Sequence, residues 1–328
     1  MARECFVCVS EDRPLTILNW IFPIFLLLLL ALTTGLYWRG WHKLRTAFPQ
    51  LATRGRLVAF SMGIVGLVLA LVAPLMQLSQ DFLSARALQK VLLSMLAPSL
   101  LWLSCPLHTI VWGLPMRWRR LGARRLFLKS TSQLRQMIQP FTQPGLAWLF
   151  FVMTFSIWHE PRYLTWTMQT LAAHYFSVFW LLGAALLYWS HILYTGLRTH
   201  TRLSGWFVFV YLLGVEIPNM FIGVSMAFSS TPLYAYYVQA QSAQGATAGF
   251  LQGELYDQML SGGIIWVVGS MVYISTIVLV FNRLFKLEKA MPPMLSPDRE
   301  ADERWIAPGL EYRVVQNRWR QVQSGKQE

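Results

Sequence analysis

Seven long apolar stretches constrain the fold of this 328-residue chain more than any other feature. A helix needs roughly 20 predominantly apolar residues to cross a bilayer core, and these stretches meet or approach that length. The weakest is the fourth, which has only about fifteen clean apolar residues and so has to stand nearly upright or thin the bilayer locally. The stretches cover about residues 17–38, 57–79, 86–105, 144–158, 169–193, 205–227 and 260–283. We therefore predict an all-α, polytopic integral membrane protein built as a seven-helix transmembrane bundle.

Composition agrees with a membrane protein and excludes an ordinary soluble domain. Hydrophobic residues make up 55% of the chain and charged residues 13%, with a mean hydropathy of +0.42. A net charge of +13 would suggest nucleic-acid binding in a soluble protein. Here the basic residues lie in short segments between the apolar stretches, which is a topological pattern. We expect the lipid bilayer as a partner and no nucleic acid.

The basic residues also predict the orientation of the chain. Of the 28 lysines and arginines, 23 lie in every second segment between or after the apolar stretches, namely 39–56, 106–143, 194–204 and 283–328. The segments that alternate with these hold the other five. The lysine- and arginine-rich side of a membrane protein is normally cytoplasmic. We therefore predict an external segment 1–16, a seven-helix domain 17–285 whose first helix is retained, and a basic cytoplasmic tail 286–328.

Two short motifs leave alternatives open. The basic segment 106–143 is either an amphipathic helix at the membrane surface or simply a positive-inside signal, and we favour the second. Cys5 and Cys8 form a CxxC pair on the predicted outer side, where it could be a disulfide, a copper(I) site or a terminus without a role.

Polar residues inside the predicted spans are the candidates for function, because they are expensive in a bilayer. Five of the predicted helices bring ionisable or amide side chains to the outer half of the membrane or to its middle. Glu216 sits about halfway along its helix, shortly before Pro218. The candidate residues are Arg86, Lys90, His159, His174, Glu216, Asn219, Asp257 and Gln258.

One interpretation of this cluster is a metal site formed by His159, His174 and Asp257, since imidazole suits copper, iron and zinc. The nearby Arg86 and Lys90 weigh against it, because neither ligates a metal as a cation and both repel one.

The other interpretation is an ion-paired structural core. An unpaired cation at this depth is costly, so we expect Arg86 or Lys90 to pair with Asp257 or Glu216. The alternative is that both cations extend outward to the membrane surface.

Four segments resemble the CtaG family of cytochrome c oxidase assembly proteins. They are SARALQKVLLSMLAPSLLWLSCPLH, WHEPRYLTWTMQTLAAHYFSVFWLLGAALLYW, IPNMFIGVSMAFSSTPLYAYY and LYDQMLSGGIIWVVGSMVYI, and the resemblance spans about residues 57–285. It implies that the site residues of the family correspond in this chain to His159, His174, Asp257 and Gln258. Family members typically carry two histidines four apart at the start of the third helix, where this chain has Arg86 and Lys90, and this departure puts copper binding in doubt.

The resemblance implies a factor that helps to assemble or mature a haem–copper cytochrome c oxidase in a bacterial plasma membrane. It would act by delivering copper or by stabilising a subunit at the outer face, with oxidase subunits or other assembly factors as partners. The alternative is a transporter for a metal ion or small solute, which a mid-membrane Glu216 would suit. We do not expect an enzyme, because the sequence shows no nucleophile–base pairing and no nucleotide motif.

Overall fold

The computed structural model describes residues 17–49, 52–72, 75–116, 118, 139–140, 142–193, 203, 205–242 and 250–290. Within these ranges every regular element is a helix, as expected in a bilayer, where a helix satisfies its own backbone. The first six helices are α1 (Ile17–Ala47), α2 (Arg54–Leu71), α3 (Leu75–Asp81), α4 (Leu83–Leu103), α5 (Pro106–Gly113) and α6 (Pro144–Ile157). The remaining six are α7 (Pro161–Gln169), α8 (Leu171–Leu193), α9 (Gly205–Ala227), α10 (Ala235–Ser242), α11 (Phe250–Gly263) and α12 (Gly269–Ala290).

The described helices show fewer spans than the seven predicted. Five are long and apolar enough to cross a membrane: Pro23–Ala47, Arg54–Leu71, Ala172–Leu193, Trp206–Ala227 and Gly253–Asn282. A sixth is obtained if α4 and α5, which meet at a bend of 59°, count as one span. The predicted fourth span is α6, which has only 14 residues. The protein is therefore a polytopic membrane protein whose described part is all-helical, with five or six long apolar helices.

Several predicted boundaries were wrong for physical reasons. Helix α1 continues through Ala47, so the basic residues that were expected to begin a loop extend the helix instead. The predicted second span ends at Leu71, since Val72 is extended and α3 begins separately at Leu75.

A sharp bend separates α4 from α5. Cys105 occupies the left-handed region, with a φ of 57°, and Pro106 starts α5. Helix α5 packs closely on α1 at two glycines, because a Cβ atom on Gly40 would run into the backbone of Thr109 and one on Gly113 into that of Leu36. Small residues allow such close backbone approach between helices.

Helix α8 lies against α4, α6 and α7, and so it brings together the elements that carry the polar cluster. Its Tyr188 is fully buried and stacks on Phe151 and Tyr211, with ring centroids 4.6 and 5.0 Å apart. Within α4 the segment Leu92–Leu96 forms a π turn, and the indole Nε1 of Trp189 donates to the carbonyl of Ser94 at 2.9 Å. Such turns leave a backbone carbonyl available for a side-chain donor.

The last two helices are joined through a second π turn, Ile264–Val268, and form one long span. Helix α11 crosses α9 at Gly223 and Gly262, where a Cβ atom on either residue would strike the opposite backbone. The chain divides into two compact units, Met1–Val278 and Leu279–Glu328, and the polar cluster belongs to the first. The N-terminal segment with Cys5 and Cys8, which was predicted to be external, lies outside the described residues, as do most of the basic segment 106–143 and the tail from residue 291.

Candidate functional site: a buried polar cluster around Arg86 and Lys90

Arg86 and Lys90 lie one turn apart on α4 and face the interior of the bundle. Arg86 is 3% exposed and Lys90 7% exposed, so neither cation extends to a surface. The face that they share also buries Ala87, Gln89 and Val91. Helical spacing of three and four residues therefore places two charges and an amide on one buried stripe.

Arg86 connects α4 to α7 and α8 through two hydrogen bonds and makes a third within α4. Its guanidinium donates to Gln89 Oε1 at 3.2 Å, to Thr167 Oγ1 at 2.9 Å and to His174 Nδ1 at 2.9 Å. A guanidinium has no acceptor, so the Nδ1 atom of His174 must accept. His174 is therefore an uncharged imidazole with its proton on Nε2, and it serves as a hydrogen-bond acceptor for the buried arginine.

Lys90 reaches the opposite side of the cluster. Its Nζ atom donates to the carbonyl of Trp158, the residue before His159. The Nδ1 atom of His159 donates to the carbonyl of Phe155 at 2.6 Å, and the hydroxyl of Tyr234 donates to the carbonyl of His159 at 2.8 Å. The backbone turn that ends α6 is thus held from two sides, while the Nε2 atom of His159 is buried without a partner.

Asp257 caps the start of α4. Its two carboxylate oxygens accept from the backbone amides of Leu83 at 2.7 Å and Ser84 at 3.2 Å. The first amides of a helix have no partner within the helix, and a negative charge there also interacts favourably with the helix dipole. Phe82, at the N-cap position, supplies no side-chain bond of its own. Asp257 therefore replaces the missing local cap from another helix.

Gln258 fixes the loop that follows α9. Its Oε1 atom accepts from the amide of Leu233 at 2.8 Å, and its Nε2 atom donates to the carbonyls of Met226 and Thr231, both at 3.3 Å. All three partners belong to the end of α9 and the following turn. The adjacent residues Asp257 and Gln258 of α11 thus bind two different elements. Asp257 binds the start of α4, and Gln258 binds the end of α9 and the loop after it.

Glu216 and Asn219 form a separate group in the middle of α9. Glu216 accepts from the hydroxyl of Ser270 through one carboxylate oxygen and from Asn219 Nδ2, at 3.3 Å, through the other. Asn219 is fully buried and packs against Gly269. The transporter interpretation needed a Glu216 available to a solute, whereas both of its oxygens accept hydrogen bonds within the protein.

The predicted ion pair was wrong for the described structure. Neither Arg86 nor Lys90 has a carboxylate within 4.0 Å among the described residues, and their bonds go to neutral acceptors. Asp257 and Glu216 are engaged elsewhere, by backbone amides and by Ser270. Neutral acceptors on neighbouring helices thus take the place that the sequence assigned to a carboxylate.

A metal held jointly by His159, His174 and Asp257 does not fit this arrangement. No three histidine, cysteine, aspartate or glutamate side chains of the described residues lie close enough together to hold a metal ion. The Nδ1 atom of His174 accepts from a permanently charged guanidinium, and both oxygens of Asp257 cap a helix. His174 Nδ1 and both oxygens of Asp257 are thus already used within the protein, and the unpartnered Nε2 atom of His159 belongs to no such group of three side chains among the described residues.

Sequence reasoning missed several members of the cluster. Thr167 accepts from Arg86, and Trp158 provides the carbonyl for Lys90. Glu254 is buried, and its Oε1 atom has no partner. A break at Thr170 separates Thr167 from the helix that carries His174, so helical spacing could not relate the two.

Comparisons with known proteins give one match. Residues 35–286 match the model of the family described as cytochrome c oxidase caa3 assembly factor (Caa3_CtaG). No curated protein and no solved structure matches the chain significantly. The matched range covers most of the chain and includes the whole polar cluster, which confirms the family predicted from the quoted segments. The protein belongs to the Caa3_CtaG family, whose members are assembly factors for caa3-type cytochrome c oxidase and not enzymes.

Proposed function

We propose that this protein assists the assembly of a caa3-type cytochrome c oxidase as a membrane scaffold, by protein contact with an oxidase subunit or another assembly factor. In this proposal the family's site residues hold the scaffold in shape and do not carry copper. The observation that supports it is that His174, Asp257 and Gln258 are all engaged in internal bonds between helices.

We also propose the location and orientation of the protein. It lies in a bacterial plasma membrane with the N-terminus outside and the C-terminus in the cytoplasm. The alternation of basic and basic-poor segments along the chain supports this orientation. The ends of α6 and α7 and the start of α8 then lie on the outer side, and the Arg86–Lys90 cluster in the outer half of the bundle.

Complementation of a strain that lacks its own family member tests the scaffold against copper delivery. The informative variant is His174→Gln, because a glutamine amide oxygen still accepts from Arg86 while the imidazole is lost. The matched control is His42→Gln, which changes an exposed histidine on α1. Oxidase activity and the amount of variant protein in the membrane are measured together.

Under our proposal the His174→Gln variant restores oxidase activity in proportion to its abundance. Chemical cross-linking in the same membranes should capture an oxidase subunit or another assembly factor with the parent and with both variants. A normally abundant His174→Gln protein that restores no activity, with the activity returning on addition of copper, would instead establish copper delivery.

A further inference from the structure

A small cavity lies between Arg86 and Lys90 and extends to α7 and α8. Its volume is about 20 Å³, close to what one water molecule or one monatomic ion needs. Every residue that lines it is buried, including Trp158, Thr167 and Ser177. A space of this volume admits no peptide and no polyatomic metabolite.

The lining combines two cationic side chains and an indole N–H with two hydroxyls, one amide and apolar groups. Arg86 and Lys90 donate only, and both Arg86 Nε and Trp158 Nε1 are buried without a partner. The hydroxyls of Thr167 and Ser177 direct their hydrogens to backbone carbonyls, of Leu164 and His174, at 2.7 Å each. The remaining polar side chain, the amide of Gln89, has its oxygen occupied by Arg86.

The charge of this region is not balanced by the described residues. Both cations are more than nine-tenths buried, and neither has a carboxylate within 4.0 Å. Buried charges are normally paired, because removing a charge from water is costly unless a counter-charge replaces the water. A water molecule would satisfy the unpartnered donors but would leave the charge uncompensated.

We propose that this cavity binds one small monovalent inorganic anion of the size of chloride. The anion is held by the two cations and by the indole N–H of Trp158, and it serves as the counter-charge for the Arg86–Lys90 pair. The proposal rests on the cavity and its donors and is independent of the scaffold function.

Thermal unfolding of the purified full-length protein tests the proposal, with chloride as the probe. Chloride replaces gluconate at constant ionic strength, because gluconate is too large for the cavity. Above its dissociation constant, each tenfold increase in chloride should raise the unfolding midpoint by about 3 °C.

Three variants make the measurement specific. Lys90→Met removes one cation and should abolish the chloride dependence, while Trp158→Phe removes one donor and should shift it to higher chloride. Lys43→Met, which changes an exposed lysine on α1, should keep the dependence of the parent. In gluconate alone Lys90→Met should also be more stable than the parent, since it removes an uncompensated buried charge.

The proposal is overturned if the parent shows no chloride dependence, or if Lys90→Met keeps the same dependence as the parent, which would indicate a general salt effect. Trp158→Phe retains both cations and provides a second test if Lys90→Met does not fold. Crystals grown in bromide should show an anomalous peak between Arg86 and Lys90, and a bromide-free cavity in well-ordered crystals would also overturn the proposal.

Discussion

Replacing Asp257 by alanine should destabilise the protein in the absence of any metal. The carboxylate accepts from the amides of Leu83 and Ser84 at 2.7 and 3.2 Å, and α4 has no local cap. Loss of a helix N-cap costs about 0.5–2 kcal/mol, and loss of a negative charge at the helix start adds about 0.3–1 kcal/mol. We therefore expect Asp257→Ala to lower the free energy of unfolding by about 1–3 kcal/mol.

The assay is thermal unfolding of the detergent-purified protein in a buffer with a metal chelator, followed by tryptophan fluorescence. A loss of this size corresponds to a decrease of roughly 2–6 °C in the unfolding midpoint. Asp257→Asn keeps one acceptor oxygen and should lose about half as much. Asp81→Ala removes an exposed carboxylate that precedes the same helix, and it is the matched control.

The capping role is refuted if Asp257→Ala unfolds within a degree of the Asp81→Ala control. It is also refuted if the parent and Asp257→Ala unfold at the same temperature without copper and differ only when copper is added. A metal ligand would behave in that way and a helix cap would not.

Three further predictions follow from the packing and the charge pattern. His174→Ala should lower the unfolding midpoint more than His174→Gln, because only glutamine still offers an acceptor to Arg86, and equal losses would contradict this role. Gly262→Ala should reduce the amount of folded protein in the membrane several-fold, since its Cβ atom would strike the backbone of Ala227. Gly145→Ala is the control at an open position and should be tolerated. Equal yields of the two variants would contradict the close packing. A reporter fused after residue 130 should register as cytoplasmic and one fused after residue 240 as external, and the reverse pattern would overturn the proposed orientation.

The long apolar helices were predictable because their lengths follow from the thickness of the bilayer. Helix α9 begins and ends where the sequence predicts, and α8 begins only two residues later than expected. Apolar length also identified α6 as unusually short, and its 14 residues confirm this, but it did not show that Leu75–Asp81 is a separate helix. That detail depends on breaks such as the one at Val72 and on packing between helices.

Most ionisable members of the polar cluster were predictable, whereas Thr167, Trp158 and the bonding of the cluster were not. Intramembrane polarity identified Arg86, Lys90 and His174, and the structure connects these residues or places them on one buried face. The role of Asp257 depends on a contact with a residue 174 positions away, and no local pattern encodes such a contact. The expected ion pair was wrong because the hydrogen bonds of both cations go to neutral acceptors at the end of α6 and on α4, α7 and α8.

The central claim is that the cluster shapes a scaffold and does not carry copper, and a copper(I) titration tests it most directly. The purified protein competes with a chromophoric chelator for copper(I), in the parent and in a Cys5→Ser, Cys8→Ser background that removes the separate CxxC pair. Our account predicts that this background binds no more copper than the same protein carrying His174→Ala. One copper per chain in this background, lost on His174→Ala, would contradict the account and establish a copper site.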